Sequence, residues 1–259
     1  MTVDDDALLA HALVTDAAAL AARMRREPGL EINRKTSVSD VVTAADHAAE
    51  DLVVRRLVEA HPDDAILGEE GASHTGTTGR RWVIDPVDGT YNFASGSDYW
   101  CSALALLDGD DLVLGAVAHH GSGTVVVGGP ELPTTVNGTP VDLLDAAADL
   151  SHLSAATYLH PAGVQRDEIR EPFLRAAARP ATIRMLGSGS MDLVGVATGR
   201  LGCWFQHTTP EWDWYPGAAI VQGAGGVARQ VVAHGVTWSV AGPAEAVGEL
   251  ARSLEGAGS

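Results

Sequence analysis

The sequence predicts an α/β fold from three observations: two amphipathic helical stretches near the N-terminus, a strand–turn–strand pattern over residues 99–119, and alternating strand and helix signals beyond about residue 140. Residues 6–27 place Leu8, Leu9, Leu13, Ala17 and Leu20 on one helical stripe. Residues 40–60 do the same with Val41, Val42, Ala45, Ala49, Leu52, Val53 and Leu57, and Asp40 fits the N-cap. HPDDAILGEEG (61–71) reads as a turn, a short strand and a loop. GASHTGTTG (71–79) is rich in glycine, serine and threonine and is expected to be mobile. RRWVID is a strand ending at Asp85. YWCSALALL, a DGDD turn and DLVLGAVAHH form a hairpin, and TVVVGG (124–129) adds a strand. PELPTTVNGTPV is turn-rich and is placed as the boundary between an N-terminal half, 1–138, and a C-terminal half, 139–259. Beyond it come a strand in SHLSAATYL, a helix near 167–178, a strand in TIRML and a helix in SGSMDLVGVATG. LGCWFQH is a further strand, DWYPGAAIVQGAGG starts a further helix, and VARQVV closes the series as a strand.

Bulk properties narrow the function. Hydrophobic residues at 46% and charged residues at 20% are ordinary for a globular chain. A formal net charge of -17 opposes binding to nucleic acid or an anionic membrane, both of which need basic patches. An anionic substrate stays open because bound cations reverse the local sign. The two cysteines, Cys101 and Cys203, form no CxxC and fit a reducing compartment. The N-terminus starts acidic rather than basic, and no run approaches a membrane span, so a cytoplasmic location is expected.

Three acidic segments sit at junctions between elements: GEEG (68–71), IDPVDGT (84–90) and PEWDWYPG (210–217). Asp-Pro and Asp-Gly are turn dipeptides, so the middle segment could be a turn and nothing more. Clustered carboxylates, however, repel and need a cation or a shared proton. Hard oxygen donors suit Mg²⁺, Mn²⁺ or Ca²⁺ rather than zinc, and none of the ten histidines has zinc-ligand spacing. The Asp-x-x-Asp-Gly-Thr spacing does not fit the Asp-x-Asp-Gly-Thr of haloacid-dehalogenase-type phosphatases, and there is no P-loop motif.

The sequence resembles the inositol monophosphatase family of metal-dependent, lithium-sensitive phosphatases. The resemblance rests on GEE at 68–70, WVIDPVDGTYNF at 82–93, GSGSMDLVGVATGRL at 187–201, WD at 212–213, GAGG at 223–226, and SDVVTAADHAAE at 39–50 preceded by Lys35. It implies a layered αβαβα sandwich with the active site between its halves, and a homodimer. It also implies two to three Mg²⁺ ions, with Mn²⁺ as a substitute. Glu69, Asp85 and the Val87 carbonyl would hold the first ion, Asp85, Asp88 and Asp213 the second, and Glu69 with water a looser third. Thr90 would bond the attacking water, Asp46 would hold Thr90 and share the proton, and Glu69 is the other candidate base.

Gly89 and Thr90 would open a helix whose N–H groups face the phosphate, or serve as its turn residue and N-cap. Lys35 would screen the looser metal region, or be a solvated lysine. Gly187 and Ser188 match a substrate-facing turn, or pack a helix start, and Asp192 would cap or brace that helix. Glu70 is expected to support only, and His207 to be structural. Of Trp204, Phe205, Trp212, Trp214 and Tyr215, most are expected in the core and one could wall the pocket.

Two departures stand out. Gln206 replaces the glutamate that inositol-specific members carry seven residues before the WD aspartate, and WYPG follows the WD where small residues are usual. WYPG is expected to reshape the helix start and pocket wall. The chemistry thus reads as preserved and the specificity as moved. The reading is a Mg²⁺-dependent phosphomonoesterase of a small polyol or sugar phosphate. Alternatives are a histidinol-phosphate or 3′-phosphoadenosine nucleotide phosphatase, faintly suggested by Glu211, and a protein-binding regulator that keeps the fold.

Overall fold

A computed structural model describes residues 2–27, 32–34 and 41–256. Helix α1 (Val3–Arg26) opens on a reciprocal cap, with Thr2 accepting from the Asp5 amide and the Asp5 carboxylate returning to the Thr2 amide. Strands β1 (Ile32–Arg34) and β2 (Val41–Thr43) pair antiparallel. Helix α2 (Ala44–Ala60) starts at a Thr43 cap rather than at Asp40, and Asp40 and Lys35 lie outside the described residues. Then come β3 (Ala65–Gly68), β4 (Ser73–His74), β5 (Arg80–Asp88), the six-residue α3 (Thr90–Ser95), β6 (Cys101–Asp108) and β7 (Asp111–His119). Strands β8 (Thr124–Gly129), β9 (Leu132–Val136) and β10 (Thr139–Pro140) complete the first sheet, in the order β10-β9-β8-β7-β6-β5-β3-β4.

The second sheet takes β11 (Ser154–Thr157), β12 (Thr182–Arg184), β13 (Cys203–His207), β14 (Val227–Ala233) and β15 (Val236–Gly242), in the order β12-β11-β13-β15-β14. Its helices are α4 (Asp167–Ala177), α5 (Gly189–Ala197), α6 (Glu211–Gly223) and α7 (Ala244–Glu255). The layers run α1/α2, first sheet, α5/α6, second sheet, α4/α7, the αβαβα sandwich that the family resemblance implies.

Among the described residues four apolar clusters fill the spaces between layers, three of them large. Leu13, Val14, Ala49, Val53 and Leu57 meet Trp82, Ile84, Leu104 and Leu106 under α1/α2. Ala103, Val117 and Val126, from the opposite face of the same sheet, meet Leu193, Ile220 and Trp204. Phe173, Phe205, Trp238, Val247 and Leu250 fill the third. The period-two alternation along β5 and β6 thus feeds both faces of the first sheet. Helix α1 is long and apolar enough to cross a membrane by length and composition, contrary to the expectation that no run approaches a span. Here it packs on α2 and on β6–β8 with Ala10, Leu13, Ala17 and Ala21 buried.

Several local readings are corrected. PELPTTVNGTPV holds strands β9 and β10, joined by an Asn137–Gly138 turn with φ of 49° and 78°. The last strand of the first sheet ends at Pro140 and the second sheet begins at Ser154. The chain does not finish its regular structure at VARQVV: a His234–Gly235 turn, with φ of 50° and 76°, leads to β15, and α7 follows. Residues 71–79 are tied down by β4 pairing with β3, and the Thr77 and Thr78 amides donate to the Asp63 carbonyl at 2.7 and 3.3 Å.

Candidate active site

The DPVD spacing sets the geometry. On a regular strand, Asp85 and Asp88 would point to opposite faces. Here three steps on β5, from Asp85 to Asp88, oppose two steps on β6, from Ala103 to Cys101. The extra residue is a β-bulge, which restores both carboxylates to one side. Pro86 is tolerated there because a bulge leaves a residue out of the ladder. Its carbonyl accepts from Ser102 Oγ at 2.6 Å, and Asp85 Oδ1 accepts from the Val87 amide at 3.1 Å.

That side faces α6, whose first turn carries Asp213. Carboxylate oxygens of Asp85, Asp88 and Asp213 lie within 4.8 Å of one another. Asp85 and Asp88 are buried, at 1% and 6% exposure. Burial pushes the Asp85 carboxyl well up, and the charges of Glu69, Asp88 and Asp213 push it further. Burial also raises Asp88, against the Ser190 amide, which donates to Asp88 Oδ2 at 2.5 Å. The neighbouring Asp213 carboxyl pushes Asp85 the same way, so without a cation the cluster favours the protonated form of Asp85. Three hard carboxylates held this close are the donor set of a divalent oxygen-ligated ion, so the residues fit the group that the sequence implied.

Glu69 follows β3, its amide donating to the Ile84 carbonyl at 3.1 Å, and it lines the same cavity. The loop it sits on is braced by Glu50, a residue that sequence reasoning missed. Both oxygens of this buried carboxylate accept amides, of Glu70 and Ala72, at 2.9 Å. A Cβ on Gly68 would lie 2.2 Å from a Glu50 oxygen, so glycine permits the approach.

Thr90 is the first residue of α3, not its N-cap; Gly89 takes that place at φ 92°. The Thr90 hydroxyl is 3.1 Å from Asp46 Oδ1 and 2.9 Å from the Val87 carbonyl, two acceptors for one proton. Asp46 is buried at the start of α2, where it also closes the Thr43 capping box, accepting the Thr43 amide at 2.9 Å. Burial raises its carboxyl to about 6.

Across the cavity, Ser188 caps α5 and Gly187 adopts φ 89°. Asn92, also missed, bridges the two sides by donating to the Tyr99 and Leu186 carbonyls at 2.9 and 2.8 Å. Asp192 accepts from the Tyr99 hydroxyl at 2.7 Å, and burial raises it to about 8. The cavity measures about 630 Å³, and Glu69, Asp85, Val87, Asp88, Gly89, Thr90, Gly187, Ser188, Gln206 and Asp213 all line it.

The WD aromatics do not. Trp204 and Trp214 stack in the core at 5.7 Å, and Trp212, Tyr215 and Pro216 also stay off the cavity wall. WYPG therefore does not reshape the pocket as expected. The wall takes Tyr91, Tyr158 and Met185 instead. His207 packs edge-on to Trp238 and does not line the cavity, as a structural residue should.

The family model described as the inositol monophosphatase family matches residues 4–255. An inositol-1-monophosphatase of Mycobacterium leprae is 34% identical over 250 residues, covering 87% of this chain and 85% of the relative. A Pseudomonas aeruginosa protein named Nus factor SuhB is 32% identical over 218 residues, covering 76% of this chain and 74% of the relative. The crystal structure of extragenic suppressor protein suhB from Bartonella henselae superposes with a TM-score of 0.83 at 24% identity, covering 94% of this chain and 96% of that one. The shared layers, the carboxylate cluster and the match along almost the whole chain lead to one conclusion: this protein belongs to the inositol monophosphatase family, and is a phosphoric monoester hydrolase.

Proposed function

We propose that the chain is a Mg²⁺-dependent phosphomonoesterase acting on a small sugar- or polyol-type monophosphate, with Mn²⁺ able to substitute. The observation that carries this reading is the buried Asp85–Asp88–Asp213 cluster, open to a cavity of substrate size. Asp85, Asp88 and Asp213, with Glu69 and the Val87 carbonyl, would hold two to three divalent ions. Such ions supply an acidified water and offset the charge gathering on the phosphoryl oxygens. Thr90 would orient the attacking water with its hydroxyl oxygen while its O–H donates a hydrogen bond to Asp46 or to the Val87 carbonyl. Asp46, raised to about 6, is placed to exchange a proton through Thr90 near neutral pH, and Glu69 offers a carboxylate directly to the cavity. Gly187, Ser188 and Gln206 line the same cavity and would meet the substrate.

Release of inorganic phosphate from a panel of monoesters, with Mg²⁺ and with EDTA, tests this. Mg²⁺-dependent release supports it; release that is unaffected by EDTA contradicts it. A second reading, a protein-binding regulator acting in the cytoplasm, draws on the relative named Nus factor SuhB. A regulator would retain its lysate partner in an Asp88→Asn variant, whereas an enzyme without that role would show none.

A further inference from the structure

The cavity has two chemically distinct ends. One holds the carboxylates. The other is built where the parallel strands β11 and β12 and the neighbouring β13 finish, with Tyr158, Met185 and Gln206 following or ending them, and where α3 contributes Tyr91. Carboxyl ends of parallel strands, at the point where strand order reverses around β11, are where α/β sheets place ligands. Three large apolar side chains stand exposed at this mouth: Tyr91 at 58%, Met185 at 50% and Tyr158 at 39%. Tyr91 and Tyr158 line the same cavity as Met185. Pro161 and Leu186 complete an apolar rim.

The polar groups of the cavity are largely committed elsewhere. The Asn92 amide donates to two carbonyls, Ser188 caps α5, and Asp192 accepts from Tyr99. His160 Nδ1 accepts from the Ala162 amide at 3.1 Å. That leaves Gln206 and the Tyr91 and Tyr158 hydroxyls as neutral polar groups for the substrate. No Lys or Arg among the described residues lines the cavity.

We propose that Tyr91, Tyr158 and Met185 form a subsite for a flat aromatic ring carried by the substrate's alcohol, which makes the preferred substrate a ring-bearing monophosphate rather than a bare polyol phosphate or a bisphosphate. This rests on the phosphomonoesterase reading and replaces its polyol branch with an alcohol that carries an aromatic ring. Two phenol faces and a thioether favour a flat π-system by offset stacking and S–aromatic contact, whereas polyols need converging hydrogen-bond groups.

The test compares kcat/KM for adenosine 3′-monophosphate and 2-phenylethyl phosphate with that for inositol 1-phosphate, glycerol 2-phosphate and fructose 1,6-bisphosphate, all with Mg²⁺. The ring-bearing esters should lead by about tenfold or more. The Tyr91→Ala/Tyr158→Ala double variant should collapse that ratio toward one, chiefly through KM. Preference for a polyol ester or the bisphosphate overturns the proposal, as does a ratio that survives the double substitution. A ratio that survives while the variant loses self-association on a sizing column would reassign the three side chains to a contact between chains. If no ester is hydrolysed, the phosphatase reading falls separately, and calorimetry with 2-phenylethylphosphonate decides the subsite. Mg²⁺-supported binding weakened about tenfold by the double substitution sustains it; no binding refutes it.

Discussion

Replacing Asp85 with asparagine should make the metal-free protein more stable while destroying its chemistry. Three carboxylates lie within 4.8 Å of one another. At an effective dielectric constant near 20, each ionised pair at that distance repels by about 3.5 kcal/mol. Burial and the neighbouring carboxylates raise Asp85 in the folded apo protein, so its protonation relieves part of this repulsion at the cost of proton uptake on folding. The substituted side chain would keep its oxygen for the Val87 amide and turn its own N–H groups to the two remaining carboxylates. A gain of about 2–4 kcal/mol at pH 7.5 in EDTA is expected, measured by urea unfolding. The pH dependence has a definite sign. Asp85 and Asp88 are raised on folding, so their stability contribution is present at low pH and lost as pH climbs through the folded-state values. The advantage of Asp85→Asn should therefore widen from pH 5 to pH 8. In Mg²⁺ the ranking should reverse, because only the native cluster gains from the ion. An Asp85→Asn protein less stable than the native one in EDTA at pH 7.5 would refute this reasoning.

The Asp88→Asn and Asp213→Asn variants should each lower turnover by about a hundredfold or more, read as Mg²⁺-dependent phosphate release. Gly89→Ala forces a side chain onto φ 92° and brings its Cβ within 3.1 Å of the Gly187 and Tyr99 carbonyl oxygens; about 1–3 kcal/mol should be lost in thermal or urea unfolding, with turnover falling too. Away from the site, Arg80 reaches Asp6 at 3.0 Å and Asp64 at 3.1 Å, both buried, with His61 beside them. Arg80→Met should therefore destabilise by about 2–4 kcal/mol in urea without a matching loss of phosphate release per folded molecule.

The sequence announced the carboxylate cluster because its signal is local: two aspartates and a glycine-threonine pair follow an apolar strand, and a glutamate pair and a tryptophan-aspartate pair sit at other junctions. It could not show why three-residue spacing works, because the bulge exists only in the pairing of β5 with β6. Glu50 was hidden for a related reason. It lies mid-helix, and only the fold brings it under the 68–72 loop. Asn92 sits in the quoted motif, yet its bridge to Leu186 spans 94 positions. The pocket wall was misassigned because the WYPG aromatics look available beside Asp213, whereas the helix turns Trp214 onto Trp204. The β9–β10 and β14–β15 hairpins turn on Asn137–Gly138 and His234–Gly235, dipeptides that mark a turn without showing that strands flank it.

The central claim is that the carboxylate cluster holds divalent ions on which hydrolysis depends. Its most direct test is a calorimetric titration of Mg²⁺ into EDTA-stripped protein, with phosphate release followed in parallel samples at each point. The account predicts at least two ions per chain, release that rises with their occupancy, and loss of both signals in Asp88→Asn. Turnover at full rate in stripped protein, or ion binding unchanged in Asp88→Asn, would contradict it.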